Sequence, residues 1–151
     1  MGILRRIRRA KPREAILIGR AMAAVLLVRW YLLRRQHPAL RAVIERHPAI
    51  HGTDVPHSDM TEVAWSIRAA ARLVPGATCL TQASAGQLLL ARRGYASIVR
   101  VSVPAEGGAE TIAPHAWLMA GTTILLGGTS AEYDRHRPLH DFVLPDIREK
   151  A

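Results

Sequence analysis

The chain has 151 residues, of which 49% are hydrophobic and 22% charged, proportions that exclude a disordered segment and fit one domain with a real core. Its single cysteine excludes an intramolecular disulfide and a disulfide-stapled secreted fold; a lone thiol fits a reducing, cytoplasmic setting. The net charge of +9 is unevenly placed: residues 1–50 hold twelve Lys and Arg against Glu14 and Glu45, and residues 51–151 hold nine against ten acids. That split suggests a basic, helical, partner-facing segment over 1–50 and a near-neutral domain over 51–151.

Residues 12–36 read as a long helix, with Pro12 in the first turn, where its missing N–H costs nothing, and Glu14 near the positive end of the helix dipole. Within it, residues 15–33 are apolar enough to suggest a membrane span. Arg20 and Arg29 argue against one. Nine residues at about 100° each put them on opposite sides of the helix, leaving no wholly lipid-compatible face. Packing on the domain fits better, or lying on an anionic membrane surface with help from Arg5, Arg6, Arg8, Arg9, Lys11 and Arg13; a solvated basic cap is the ordinary alternative. Only Trp30 and Tyr31 interleave these charges, so no nucleic-acid partner is expected.

A second helix, 38–47, begins near Pro38, and residues 47–56 form a Pro- and Gly-containing loop. A third starts over Ser58–Glu62, capped by Ser58 or Asp59, with Val63, Ile67, Ala70 and Ala71 as its apolar stripe, and stops at Pro75-Gly76. Cys79–Arg93 is helical again, with Thr78 as N-cap and Gly94 at the C-terminal cap. The period then changes to two: Tyr95, Ser97, Val99, Val101 and Val103 mark one face of a strand ended by Pro104. Glu106-Gly107-Gly108 marks a turn, and strands at about Thr111–Met119 and Thr122–Leu126 flank a tight turn at Ala120-Gly121. The tail, with Pro138 and Pro145, reads as loop-rich. Helices followed by an antiparallel sheet define an α+β fold, with a helix packed on the sheet, rather than an alternating βαβ one.

The start of the fourth helix carries the chemistry. Cys79 follows a short loop, where free backbone N–H groups and the helix dipole stabilise a thiolate and can also stabilise an oxyanion. A nucleophile needs a base, and His115, mid-strand on the same face as Trp117 and Met119, can be aimed by the sheet at a helix packed across it. The ordinary alternatives are a cysteine serving as a small buried hydrophobe and a strand tryptophan serving as core. Gln82, one turn after Cys79, is a candidate to donate to the oxyanion or bind substrate backbone, or is a plain surface glutamine; Trp117 is a candidate wall beside His115. His47/His51 and His136/His140 have i, i+4 spacing, but near prolines in loops that spacing means little. No second cysteine completes a zinc pattern, so no metal is expected.

The run from Val63 to Ala83, with Pro75-Gly76-Ala77-Thr78-Cys79-Leu80 at its heart, and His115-Ala116-Trp117-Leu118 further on, resemble the lasso-peptide biosynthesis B proteins, a family of transglutaminase-like cysteine proteases. The likeness covers about residues 55–145, and the first motif is the specific one. It implies a transglutaminase-like, papain-like core in which Cys79 is the nucleophile and His115 its base. It also implies a leader peptidase of antibiotic-peptide (RiPP) biosynthesis. Such an enzyme cuts the leader from a ribosomally made precursor peptide and frees the core amino terminus for macrolactam formation by an asparagine-synthetase-like cyclase.

In this family a small winged-helix element recognises the leader. Residues 1–50 lack the strands for one, so a separate recognition protein is the expected partner. No G-x-x-x-x-G-K-[ST] loop occurs and the only lysines are Lys11 and Lys150; any ATP requirement is assigned to the cyclase, and no cofactor to this chain. One departure concerns the third catalytic member, an Asp in the family. The Ala120-Gly121 turn would pair His115 with about Leu126, and residues 122–130 contain no carboxylate. Glu132 and Asp134 are the nearest downstream acids, a backbone carbonyl or a water is the other candidate, and a solvated loop is the ordinary reading of both acids. The missing Asp leaves an alternative function: a catalytically lost module that binds a peptide or partner protein.

Overall fold

The computed structural model describes residues 11–107 and 113–147; Arg5, Arg6, Arg8, Arg9, Gly108, Thr111 and Lys150 lie outside these residues. In chain order the elements are α1 (Pro12–Leu33), α2 (His37–Glu45), α3 (His57–Ala71), α4 (Cys79–Arg92), β1 (Ser97–Pro104), β2 (His115–Ala120), β3 (Thr123–Leu126), α5 (Ser130–Tyr133) and β4 (His136–Leu144). The strands form one antiparallel sheet in the order β3-β2-β1-β4, so the fold is α+β, as the pattern of periods predicts.

Helix α4 is the axis of the molecule. It is buried continuously from Ala83 to Ala91 because α1, α3 and the sheet all pack around it. This accounts for a sequence apolar on every side instead of along one stripe. Gly86 marks the closest approach to the sheet: a methyl group there would lie 2.5 Å from Leu118 Cδ2 and 2.9 Å from Leu126 Cδ1. Gln87 is only 1% exposed, yet its Nε2 donates to the carbonyls of Ser97 (3.1 Å) and Phe142 (2.9 Å). The buried amide nitrogen is thereby satisfied, and α4 is tied to β1 and β4.

The N-terminal helices belong to the same core. Ala21, Ala24, Val25 and Val28 of α1 are fully buried, and Leu40 and Ile44 of α2 join them. A charged network closes the far end. Arg93, just past α4, donates to Asp59 (2.7 Å) and Glu62 (3.2 Å) of α3; Tyr95 also donates to Asp59 (3.0 Å), and Arg13 of α1 pairs with Glu62. Asp59 is therefore not the cap of α3. That helix begins at His57, with Pro56 in the N-cap position and no side-chain cap, so neither Ser58 nor Asp59 plays the expected part. The ion pairs recruit Asp59 instead.

Two further expectations change. The hairpin turn lies one residue later than predicted, with Ala120 paired to Thr123 and Gly121, at φ 56°, inside the two-residue loop. A register shift between Leu118 and Met119 then pairs Leu126 with Leu118, not with His115. The tail is not a loop: it supplies α5 and the nine-residue strand β4. Pro138 hid that strand. It sits on the sheet edge where the pairing shifts, Val101 facing His140 and Ser102 facing Pro138, so Leu139 is bulged out and 59% exposed. At an edge bulge proline's missing N–H removes no essential ladder bond.

Candidate active site

Cys79 is the first residue of α4, a free, half-buried thiol packed against the core. Three contacts deliver it there. Thr78 caps the helix as expected, its Oγ1 accepting from the Thr81 N–H at 3.3 Å. Gln82 folds back, its Nε2 donating to the Ala77 carbonyl at 3.1 Å, so one amide proton holds the loop in front of the thiol. Beneath, the turn at Gly76 (φ 74°) is covered by the Arg29 guanidinium of α1, whose Nη2 would lie 3.2 Å from any methyl on Gly76. Arg29 is thus turned inward, onto the loop that leads to Cys79.

His115 opens β2, half-buried. Its Nε2 lies 2.6 Å from the carbonyl oxygen of Gly127. A carbonyl only accepts, so Nε2 carries the proton, and in the neutral ring Nδ1 is left as the basic nitrogen. The ring stands edge-on to Trp117 (centroids 4.6 Å) and 5.8 Å from the His136 ring. Trp117 is 1% exposed; its Nε1 donates to Ser102 Oγ (2.8 Å), which in turn bonds His136 Nδ1 (3.1 Å). Trp117 is thus both core and the wall beside His115.

Gly127 makes this arrangement possible. It adopts φ 120°, and a methyl there would meet Trp117 Cε3 at 2.7 Å and the Ala116 carbonyl oxygen at 2.9 Å. Only glycine lets the chain leave β3 this close to β2 and present its carbonyl to the imidazole.

The acids stand apart from that contact. Glu132 sits in α5 and closes a capping box: its Oε2 accepts from the Thr129 N–H (2.7 Å) and hydroxyl (2.9 Å). These two bonds, with a smaller contribution from the charge of His115, hold its carboxyl below the usual range. Glu132 is therefore near enough to feel His115 but is not bonded to it. Asp134 is the exposed residue that ends α5. Of the candidates for orienting His115, a backbone carbonyl occupies the place.

Among the described residues no hydrogen bond joins Cys79 to His115. Leu118 faces α4, so strand alternation directs His115 and Trp117 from the other face of β2, toward α5 and the start of β4. The His136/His140 pair does not act as one: His136 belongs to the His115 cluster, while His140 stands edge-on to Phe142 at 4.5 Å. Among the described residues, no three His, Cys, Asp or Glu side chains are grouped to hold a metal ion.

No local sequence pattern assigns Gly127, Ser102 or Arg29 its part in the site. A double glycine directly after a strand, Gly127-Gly128, is a visible sign of unusual backbone. That its carbonyl meets His115 depends on the register shift in the hairpin, which no local pattern encodes.

A family model described as the Transglutaminase-like superfamily matches residues 21–141, from the middle of α1 to β4. Neither a curated protein nor a solved structure gives a match. With a helix-opening cysteine, a strand-borne histidine and this α+β core in the matched span, the chain belongs to the transglutaminase-like superfamily.

Proposed function

We propose that this chain is a cysteine peptidase that removes the leader from a ribosomally synthesised lasso precursor peptide. The observation that carries the reading is the free thiol of Cys79 at the opening of a buried helix in a chain of this superfamily. His115, with Nε2 committed to Gly127, supports it by keeping Nδ1 basic. In this mechanism Nδ1 takes the thiol proton, and the thiolate attacks the carbonyl at the leader–core junction. His115 then protonates the departing core amine, and water releases the leader from the acyl-enzyme. Backbone N–H groups at the start of α4 stabilise the oxyanion in this reading, and the second amide proton of Gln82, whose Nε2 also bonds the Ala77 carbonyl, is a further candidate donor. The mechanism requires the start of β2 to turn His115 toward α4, because in the structure Leu118 faces α4 and His115 lies on the other face of that strand.

The partners in this reading are the precursor peptide, a separate leader-recognition protein and an asparagine-synthetase-like cyclase that consumes the freed amine. Any ATP requirement belongs to the cyclase, and the setting is cytoplasmic. Incubating a precursor with this protein and the recognition protein, and weighing the products by mass spectrometry, tests the assignment. Cys79→Ala abolishes leader release in this account. Undiminished cleavage by that variant would sink the peptidase reading and leave a peptide-binding scaffold.

A further inference from the structure

Helix α1 has two apolar faces. At about 100° per residue, the buried Ala21, Ala24, Val25 and Val28 centre on one side. Directly opposite, Ile16, Gly19, Ala23, Leu26, Trp30 and Leu33 recur at three and four spacing, and all six are exposed. The large ones are open to a degree unusual for such residues: Ile16 56%, Leu26 51%, Trp30 47% and Leu33 69%. No charge interrupts this outer face. Arg29, whose charge would spoil a lipid-compatible face if it pointed outward, is folded inward over Gly76. Arg20 borders the face, and Lys11, Arg13, Arg34 and Arg35 cluster at its two ends, all exposed, with Arg34 lying over the Trp30 ring at 5.2 Å.

We infer that this face seats the protein on an anionic membrane surface, with α1 lying in the plane of the headgroups. An apolar stripe with an interfacial tryptophan, bordered by arginines long enough to reach the phosphates, is what such a surface takes. The charge selects the occupant. Residues 1–50 carry twelve basic residues against two acids, so a second copy of α1 would be repelled and anionic lipid attracted. By length and composition α1 also qualifies as a span. Its inner face, however, is fully buried against α3 and α4, and a spanning helix would drag those contacts into lipid. Lying flat keeps the core intact.

The test is sedimentation of the full chain with vesicles of phosphatidylcholine alone, or of equal parts phosphatidylcholine and phosphatidylglycerol, at low and high salt. The protein should sediment with the mixed vesicles and not with the neutral ones, less so at high salt. The Leu26→Ser/Trp30→Ser variant should bind about tenfold more weakly. Arg20→Gln/Arg34→Gln/Arg35→Gln, which touches only surface residues, should lose the preference for anionic vesicles while keeping the helical circular dichroism. Sedimentation with neither vesicle type, binding by both variants that matches the wild type, or a dimer broken by Leu26→Ser/Trp30→Ser in a chain that ignores vesicles would each overturn the inference.

Discussion

His115 has two ring nitrogens, and the structure assigns them different work. Nε2 is spent on the Gly127 carbonyl, so Nδ1 is the nitrogen left to accept a proton. A carbonyl fixes the tautomer and the ring plane as a carboxylate would, but it does not add a full negative charge to stabilise the imidazolium. Removing the carboxyl of Glu132 by Glu132→Gln should therefore cost little activity, because that group is occupied in capping α5. Gly127→Ala should cost far more. It forces a side chain into φ 120° and against Trp117, which predicts a stability loss of about 1–3 kcal/mol in denaturant unfolding, and peptidase activity falling further than stability alone explains. An active Gly127→Ala variant would show that His115 is oriented by something else.

At the scale of elements, the start of α4 is assembled by its neighbours. Thr78 supplies the cap, Gln82 pins the loop and Arg29 covers the turn. Thr78→Ala should lower stability by about 1 kcal/mol in denaturant unfolding, and Thr78→Ser should restore most of it. Much of this was legible. The Pro75-Gly76 breaker, the Thr78 cap and the change of period after Gly94 all reflect local chemistry, and α4, β1 and the cap follow from them. What was not legible depends on contacts distant in sequence. Strand β4 pairs with β1 across more than thirty residues and tolerates Pro138 only at its edge bulge. Asp59 looks like a cap until Arg93 and Tyr95 claim it. His115 was expected to face the helix, and only the bulge and the Gly86–Leu118 contact reveal which face of β2 packs on α4.

Across the whole molecule, the outer face of the sheet is held by charge as well as by apolar contact. Arg100 on β1 makes a two-pronged bond to Asp141 on β4, at 2.7 Å through both Nε and Nη2, and also bonds the Tyr133 hydroxyl of α5. Arg100 holds the Asp141 carboxyl below its ordinary range, and the pairing raises the guanidinium above its own. Glu132 is likewise lowered, by its bonds to Thr129. A carboxyl whose folded pKa is depressed contributes stability that is complete above its unfolded pKa, about 4, and is lost as the pH falls through the folded value. Thermal unfolding should therefore show the melting temperature falling as the pH drops below about 4, and Asp141→Asn should flatten that fall. An unchanged slope in Asp141→Asn would remove this pair from the acid response.

The proposed pairing of Cys79 with His115 as nucleophile and base can be tested without knowing the precursor. The rate of Cys79 alkylation by iodoacetamide at neutral pH, followed by intact mass, reads the thiolate directly, because the chain has no other cysteine. If His115 serves as its base, His115→Ala should slow alkylation by about tenfold or more, while His136→Ala leaves it near the wild-type rate. Equal rates for wild type and His115→Ala, with both chains folded, would show that His115 is not the base of Cys79.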